Sequence, residues 1–198
     1  MTLYSPGFIH SDRVTATEEG GWANHRFDRG MITRYGISSV SHPDVDLATL
    51  TPDGARELRY ARYWIPGGCG GFPWPISLAA YDWYIHSSDP RYRSWVEKLI
   101  QKLVGAVADG TTGQKTISAV QAYAAEHGNV EMAYQLLELR TDAWDRGFKL
   151  GLFAPSTING VEYPPGHLVR VKAGLWCHKG FYRRAINIGR EFHTKEAA

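Results

Sequence analysis

Cysteine is scarce in this sequence, with two residues, Cys69 and Cys177, among 198. They form no CxxC pair and no other metal-ligand spacing. One disulfide or two free thiols are the alternatives, and a reducing cytosol favours the thiols. The 8 histidines include no HxH or HExxH pattern, so no metal and no cofactor are expected. Long apolar runs are also missing. None approaches the roughly 20 residues of a membrane span, and the opening MTLYSPGFIHSDR lacks the charged and apolar regions of a secretory signal. Synthesis in the cytoplasm without membrane insertion is therefore expected, and a substrate outside the membrane would have to be reached by some other route. Neither sign of charge dominates, since 22 Lys and Arg face 20 Asp and Glu for a net +2. Basic residues form only short patches such as Arg183-Arg184, not the stripe expected of a nucleic-acid partner. No repeat and no low-complexity segment is present.

What remains is an ordinary globular balance, 43% hydrophobic and 21% charged, sufficient for a core in one compact domain or two small ones. The pattern is helical nearly throughout. A first helix should end at Gly20-Gly21, because consecutive glycines stop helices. Residues 22–38 carry turn and strand signals and predict a small irregular hairpin. Thr51-Pro52 reads as an N-cap with proline at the first helical position, opening a helix to about Trp64. Gly67-Gly68-Cys69-Gly70-Gly71 is a loop, and a helix follows Pro75 to about Ser87. From Asp89-Pro90 onward, Tyr92, Trp95, Val96, Leu99, Ile100 and Leu103 recur at three- and four-residue steps, one apolar helix face. Further helices fit 113–127 and 129–147, residues 153–166 read as a long loop, and a last helix is expected from about Gly166 to Phe192. The fold class is all-α with a small β-hairpin.

Chemistry concentrates in one segment. Glu19 sits at a helix end, Asp28 follows nine residues later in the hairpin, and Thr33 lies on the returning strand. Glycosidic hydrolysis needs two carboxyl groups on opposite sides of the scissile bond, one to protonate the leaving oxygen and one to act on water or on the sugar. A helix end feeding a hairpin can hold two such groups across a cleft. The negative end of a helix dipole disfavours an ionised carboxylate. Burial against Trp22 or Tyr35 would add to that effect. Both raise the pKa and keep a proton available on Glu19. Asp28, in a polar turn, should stay ionised, so that environment divides the two carboxyls into one acid and one base, as it does in animal-type lysozyme.

At these residues the chain resembles the glycoside hydrolase 108 family of bacterial and phage N-acetylmuramidases. Glu19-Gly20-Gly21-Trp22 resembles the family's EGGY motif, with tryptophan for tyrosine. Asp28-Arg29-Gly30-Met31-Ile32-Thr33 loosely resembles its DPGGAT-like turn, and Tyr35-Gly36-Ile37-Ser38 its YGI strand. The spacing from Glu19 through Asp28 to Thr33 is also similar to the Glu–Asp–Thr triad of phage-type lysozymes, which is one residue longer between Asp and Thr. Further along, Ala61-Arg62-Tyr63-Trp64 resembles an ARYW stretch, Asp82 with His86-Ser87-Ser88 an aspartate followed by Asn-Ser-Gly, and Lys179-Gly180-Phe181-Tyr182-Arg183-Arg184 a closing KGW-x-x-R segment. Asp109-Gly110-Thr111-Thr112-Gly113-Gln114-Lys115-Thr116 resembles the DGxxGxxT turn of a peptidoglycan-binding helical module.

The resemblance implies a lysozyme-like, two-lobed fold. A muramidase region would occupy 1–88, and a helical peptidoglycan-binding-like region, 89–198, would pack on it as one compact unit. It implies hydrolysis of the β-1,4 bond between N-acetylmuramic acid and N-acetylglucosamine by a monomer, most similar in role to a phage endolysin acting on the wall in the periplasm after release. Glu19 is then the general acid, Asp28 and Thr33 position water in an inverting mechanism, and Trp22, Tyr35 and His86 contact the glycan. Each position has a plainer use. Glu19 could be a solvated helix-end acid with Glu18 as its rival, Asp28 a turn residue, Thr33 a strand former, Tyr35 core, His86 structural, and the DGxxGxxT turn a helix joint. Two other functions compete. A lytic transglycosylase needs the acid but neither Asp28 nor Thr33, and a non-catalytic wall binder would leave the glycan uncut.

Overall fold

The computed structural model describes residues 4–19, 22–24, 32–87, 90–150, 157–158, 161–162 and 183–194. Helix α1 spans Pro6–Glu19. Ser5 opens it, its Oγ accepting from the Phe8 amide at 3.3 Å, with Pro6 supplying a pre-set φ at the first helical position. The helix stops one residue before Gly20, as expected. Its buried face runs Phe8, Ser11, Asp12 and Thr15, and Glu19 falls four residues further along the same line of the helix.

Three strands follow: β1, Trp22–Asn24; β2, Ile32–Arg34; and β3, Ile37–Ser38. They form one antiparallel sheet in the order β1-β2-β3, so the expected hairpin gains a third strand. Tyr35 and Gly36 join β2 to β3 with φ of 51° and 77°. Both are left-handed, the requirement of a two-residue hairpin turn matched to strand twist. Gly36 meets it freely, whereas Tyr35 adopts it at a steric cost. Pairing sets Ala23 opposite Thr33 and Thr33 opposite Ser38.

Helix α2, Pro52–Arg59, starts as expected. The Thr51 hydroxyl accepts from the Gly54 amide at 3.1 Å. It continues as a wider turn over Tyr60–Trp64, where the Ile65 amide donates to the Tyr60 carbonyl. The central helix α3, Ile76–His86, is buried from Ile76 to Ile85. A helix this largely apolar around its circumference is stable only when surrounded, and α1 and α6 pack against it. Helices α4, Pro90–Leu103, and α5, Gln114–His127, follow, then α6, Asn129–Leu150. A last helix, α7, covers 183–191.

The structure departs from expectation in three further places. On α4, Val96 and Ile100 are buried, but Tyr92 and Trp95 are each 39% exposed. The face is narrower than its sequence period, because Trp95 meets the core only edge-on, at Trp83. Helix α6 continues past Gly147 to Leu150. A helical glycine costs about 1 kcal/mol relative to alanine, too little to end a 22-residue helix. In the stretch read as a loop, β4, Thr157–Ile158, pairs with β5, Val161–Glu162. The intervening Asn159-Gly160 is a hairpin signal that the proline content obscured. The first part of the expected last helix, before residue 183, lies outside the described residues.

Two apolar clusters result. The larger runs from Phe8 of α1 to Phe192, just beyond α7, and centres on α3. Its aromatic heart packs Phe8 against Tyr4, Tyr60, Trp64 and Tyr81 at ring distances of 5.0, 4.7, 5.4 and 5.9 Å. The smaller, beneath the sheet, is Ile37, Leu47, Leu50 and Ala55, with Tyr35, Val45 and Leu58 against it. Fold class agrees with the sequence reading: mostly helical, with a small antiparallel sheet. Among the described residues no helix is long and apolar enough to cross a membrane.

Candidate active site

The sheet lies immediately after the end of α1, and that junction forms the candidate site. Glu19 is the last residue of α1, where unpaired carbonyls gather partial negative charge. Three residues on, Trp22 begins β1. Strand pairing then places Thr33 directly across from Ala23, four residues beyond Glu19. The backbone thus brings Glu19, Trp22 and Thr33 to one corner of the fold. Thr33 is partly buried, in the middle of β2. Asp28 lies outside the described residues, between β1 and β2 in the chain.

Tyr35 occupies the turn between β2 and β3, and its ring packs on the smaller cluster with the Arg34 guanidinium 5.2 Å from the ring centre. Arg34 in turn donates to the carbonyls of Leu47, at 2.8 Å, and Ala48. This ties the turn to the loop ahead of α2. His86 closes α3 and belongs to a different group. Its ring meets Trp144 of α6 edge-on at 5.3 Å. Burial, and then the positive charges of Arg184 and Arg140, hold its pKa well below that of a free histidine, against the pull of Asp82.

Two buried carboxylates organise the surroundings, and sequence reasoning gave neither a structural role. Asp12, 2% exposed, accepts from Arg59 at 2.6 and 3.0 Å, from the Tyr81 hydroxyl at 2.8 Å and from Arg56 at 3.3 Å. Burial opposes the charge of Arg59, but the hydrogen bond and charge of Asp12 outweigh it and raise the guanidinium pKa. Burial, and then Asp12, push the Tyr81 hydroxyl well up, so it remains a donor. Asp82 of α3, fully buried, accepts from Arg140 of α6 at 2.6 Å and from Arg184 of α7 at 2.6 and 3.0 Å. Burial alone would raise its pKa, yet Arg184 and Arg140 outweigh burial and hold the carboxyl well below the usual range. These pairs are 47, 58 and 102 residues apart in sequence. No local pattern signals contacts at such separations, although acidic and basic residues inside otherwise apolar helices are a hint that they are paired.

The DGxxGxxT turn joins α4 to α5 and is held from inside. The Gln101 side-chain amide of α4 donates to Asp109 at 2.7 Å, the Thr111 carbonyl at 3.1 Å and the Thr116 hydroxyl at 3.1 Å. It also accepts from the Gly110 amide at 2.8 Å. Gly110 has φ of 83°, and an added Cβ would collide with Ser94. Cys69 is a free, buried thiol whose pKa is raised by burial, while Cys177 lies outside the described residues. Among the described residues no group of histidine, cysteine and carboxylate side chains could hold a metal.

Helix α1 thus ends at Glu19 beside a three-stranded sheet, and part of the chain that includes this junction is similar to a known family. Residues 13–87 match the Glycosyl hydrolase 108 family model, a span that begins on α1 and closes just after α3. That segment is similar to a family of glycoside hydrolases. The structure of Brucella abortus SagA is similar over 96% of this chain and 98% of its own, at 23% identity and a TM-score of 0.71. At that identity the likeness concerns the fold. No curated protein sequence matches the chain.

Proposed function

We propose that the chain is an N-acetylmuramidase that hydrolyses the β-1,4 bond between N-acetylmuramic acid and N-acetylglucosamine in peptidoglycan. The observation that carries this reading is the family match over residues 13–87, which encloses Glu19, Trp22, Asp28, Thr33, Tyr35 and His86 together. Glu19 protonates the leaving oxygen, since the negative end of a helix favours the neutral acid. Asp28 is the base that activates water, and Thr33, across from Ala23 in the sheet, holds that water. Trp22 and Tyr35 contact sugar rings, and His86, neutral near pH 7, contacts the glycan from the end of α3. The mechanism inverts. A water between the two carboxyls needs a separation of roughly 6.5–9.5 Å, against about 5–5.5 Å for a covalent route.

The region 89–198 accompanies the muramidase region 1–88 as a wall-contacting helical unit, on its DGxxGxxT resemblance. The biological role is that of a phage endolysin. The protein is made in the host cytoplasm, is released to the wall and works as a monomer, with its mild positive charge assisting encounter with the anionic wall. Release of reducing ends from purified peptidoglycan tests the activity, and proton NMR of the first product, taken before mutarotation, tests the stereochemistry. An initial α-anomer is expected. Peptidoglycan that stays uncut excludes the reading, and an initial β-anomer replaces inversion with a nucleophilic Asp28.

A further inference from the structure

A single buried guanidinium joins the two elements that the proposed site depends on. Arg59 belongs to neither of them, being the last residue of α2. Its Nε and Nη2 fork onto the two oxygens of Asp12, at 2.6 and 3.0 Å. Its Nη1 donates to the main-chain carbonyl of Tyr35 at 2.6 Å. Arg59 is 3% exposed and Asp12 2%, so both ends of this bridge lie away from water. Asp12 stands on α1 seven residues before Glu19, two helical turns and about 10 Å along the axis. Tyr35 is the first residue of the turn that sets the register of β2 against β3, and Thr33 lies two residues ahead of it. One planar group therefore fixes the helix that ends in Glu19 against the hairpin that carries Thr33.

Charge compensation does not explain this arrangement fully. Asp12 already receives Arg56 and the Tyr81 hydroxyl, at 3.3 and 2.8 Å. The bond to the Tyr35 carbonyl neutralises no charge, and it holds a non-glycine residue at φ of 51°, a conformation that local preference would release. Its effect is geometric. Arginine suits this task and lysine does not, because only the guanidinium presents donors in a rigid fork with another pointing elsewhere.

We infer that Arg59 is a positioning residue for glycosidic cleavage, acting through Asp12 on the acid-bearing helix and through the Tyr35 carbonyl on the hairpin. The inference rests on the proposed roles of Glu19 and Thr33. It predicts a specific split in kinetics on soluble, uncrosslinked peptidoglycan. Arg59→Lys keeps a charge beside Asp12 but cannot fork and reach Tyr35 together. Its kcat should fall about ten- to a hundredfold, the scale of a misplacement near 1 Å, with KM within about twofold. Arg56→Gln removes the other guanidinium from Asp12 without touching the hairpin, and its kcat should stay near that of the unaltered protein. Full kcat in folded Arg59→Lys, or equal losses in both variants, overturns the inference and leaves the muramidase reading standing. If the unaltered protein cuts no peptidoglycan, the functional reading falls and the inference with it. Should Arg59→Lys fail to fold by circular dichroism, Asp12→Asn carries the test. It keeps the shape of Asp12 but sets an amide group where one arm of the Arg59 fork needs an acceptor, and a several-fold loss of kcat at constant KM is expected. Unchanged kcat in folded Asp12→Asn overturns the inference.

Discussion

At the scale of residues, the proposal depends on which of two adjacent carboxyls is the acid. Glu18 and Glu19 are neighbours on α1, about 100° apart around the helix axis. Glu19 continues the line through Phe8, Asp12 and Thr15, whereas Glu18 continues the one through Ser11 at the edge of the same buried face. Glu19→Gln should therefore abolish release of reducing ends while melting like the unaltered protein, since an amide cannot protonate the leaving oxygen. Glu18→Gln should remain active. The opposite pattern, with Glu18→Gln inactive, would move the acid by one position. The placement of Glu19 at a helix end and of Thr33 on a strand was legible because both signals are local. Asp12 and Arg59 were not, because nothing in either segment indicates that side chains 47 residues apart share one buried ion pair.

At the scale of elements, three helices meet on one carboxylate. Asp82 of α3 takes hydrogen bonds from Arg140 of α6 and Arg184 of α7, all three side chains being buried. Removing one partner of a buried ion pair costs about 3–5 kcal/mol, far more than an exposed pair contributes. Asp82→Ala should lower unfolding free energy by about that amount in urea titration, and a loss under about 1 kcal/mol would show that the pairing is energetically incidental. The elements themselves were largely readable. Thr51-Pro52 opened α2, and Gly128, with φ of 94°, closed α5, since both signals are local backbone chemistry. The YGI resemblance placed a strand over residues 35–38, but Tyr35 and Gly36 form the turn and only Ile37–Ser38 pair as β3, a division set by pairing with β2 and not by composition. Arg184 carried a signal as part of the closing KGW-x-x-R resemblance, but its partner on α3 is a tertiary fact.

At the scale of the whole molecule, two histidines should make stability fall as pH drops below neutrality. Burial, and then Arg62, lower the pKa of His42, while burial, and then Arg184 and Arg140, lower that of His86. The folded protein therefore keeps both rings neutral at pH values where an unfolded chain, with histidine near 6.5, takes up protons. Extra protons on the unfolded state favour unfolding as pH falls. The stability from these rings is complete above about pH 6.5 and declines below it, by up to about 1.4 kcal/mol per pH unit for each group. Asp82 adds a loss of the same sign below about pH 4. The urea midpoint should fall between pH 7.5 and pH 5, and less steeply in His86→Gln. An unchanged midpoint would mean that the rings are charged in the folded state. The mostly helical fold with a small sheet was readable from period and punctuation, whereas the division into a larger helical core and a smaller cluster under the sheet emerges only once distant segments meet. The proposed function is cleavage of peptidoglycan with water by a chain whose residues 13–87 match the Glycosyl hydrolase 108 family model. Mass spectrometry of the fragments released from purified peptidoglycan tests it most directly. Fragments ending in reducing N-acetylmuramic acid are the predicted result. Fragments ending in a 1,6-anhydro ring would assign the chain to cleavage without water and remove Asp28 and Thr33 from the chemistry, and fragments ending in reducing N-acetylglucosamine would place the cut at the other bond.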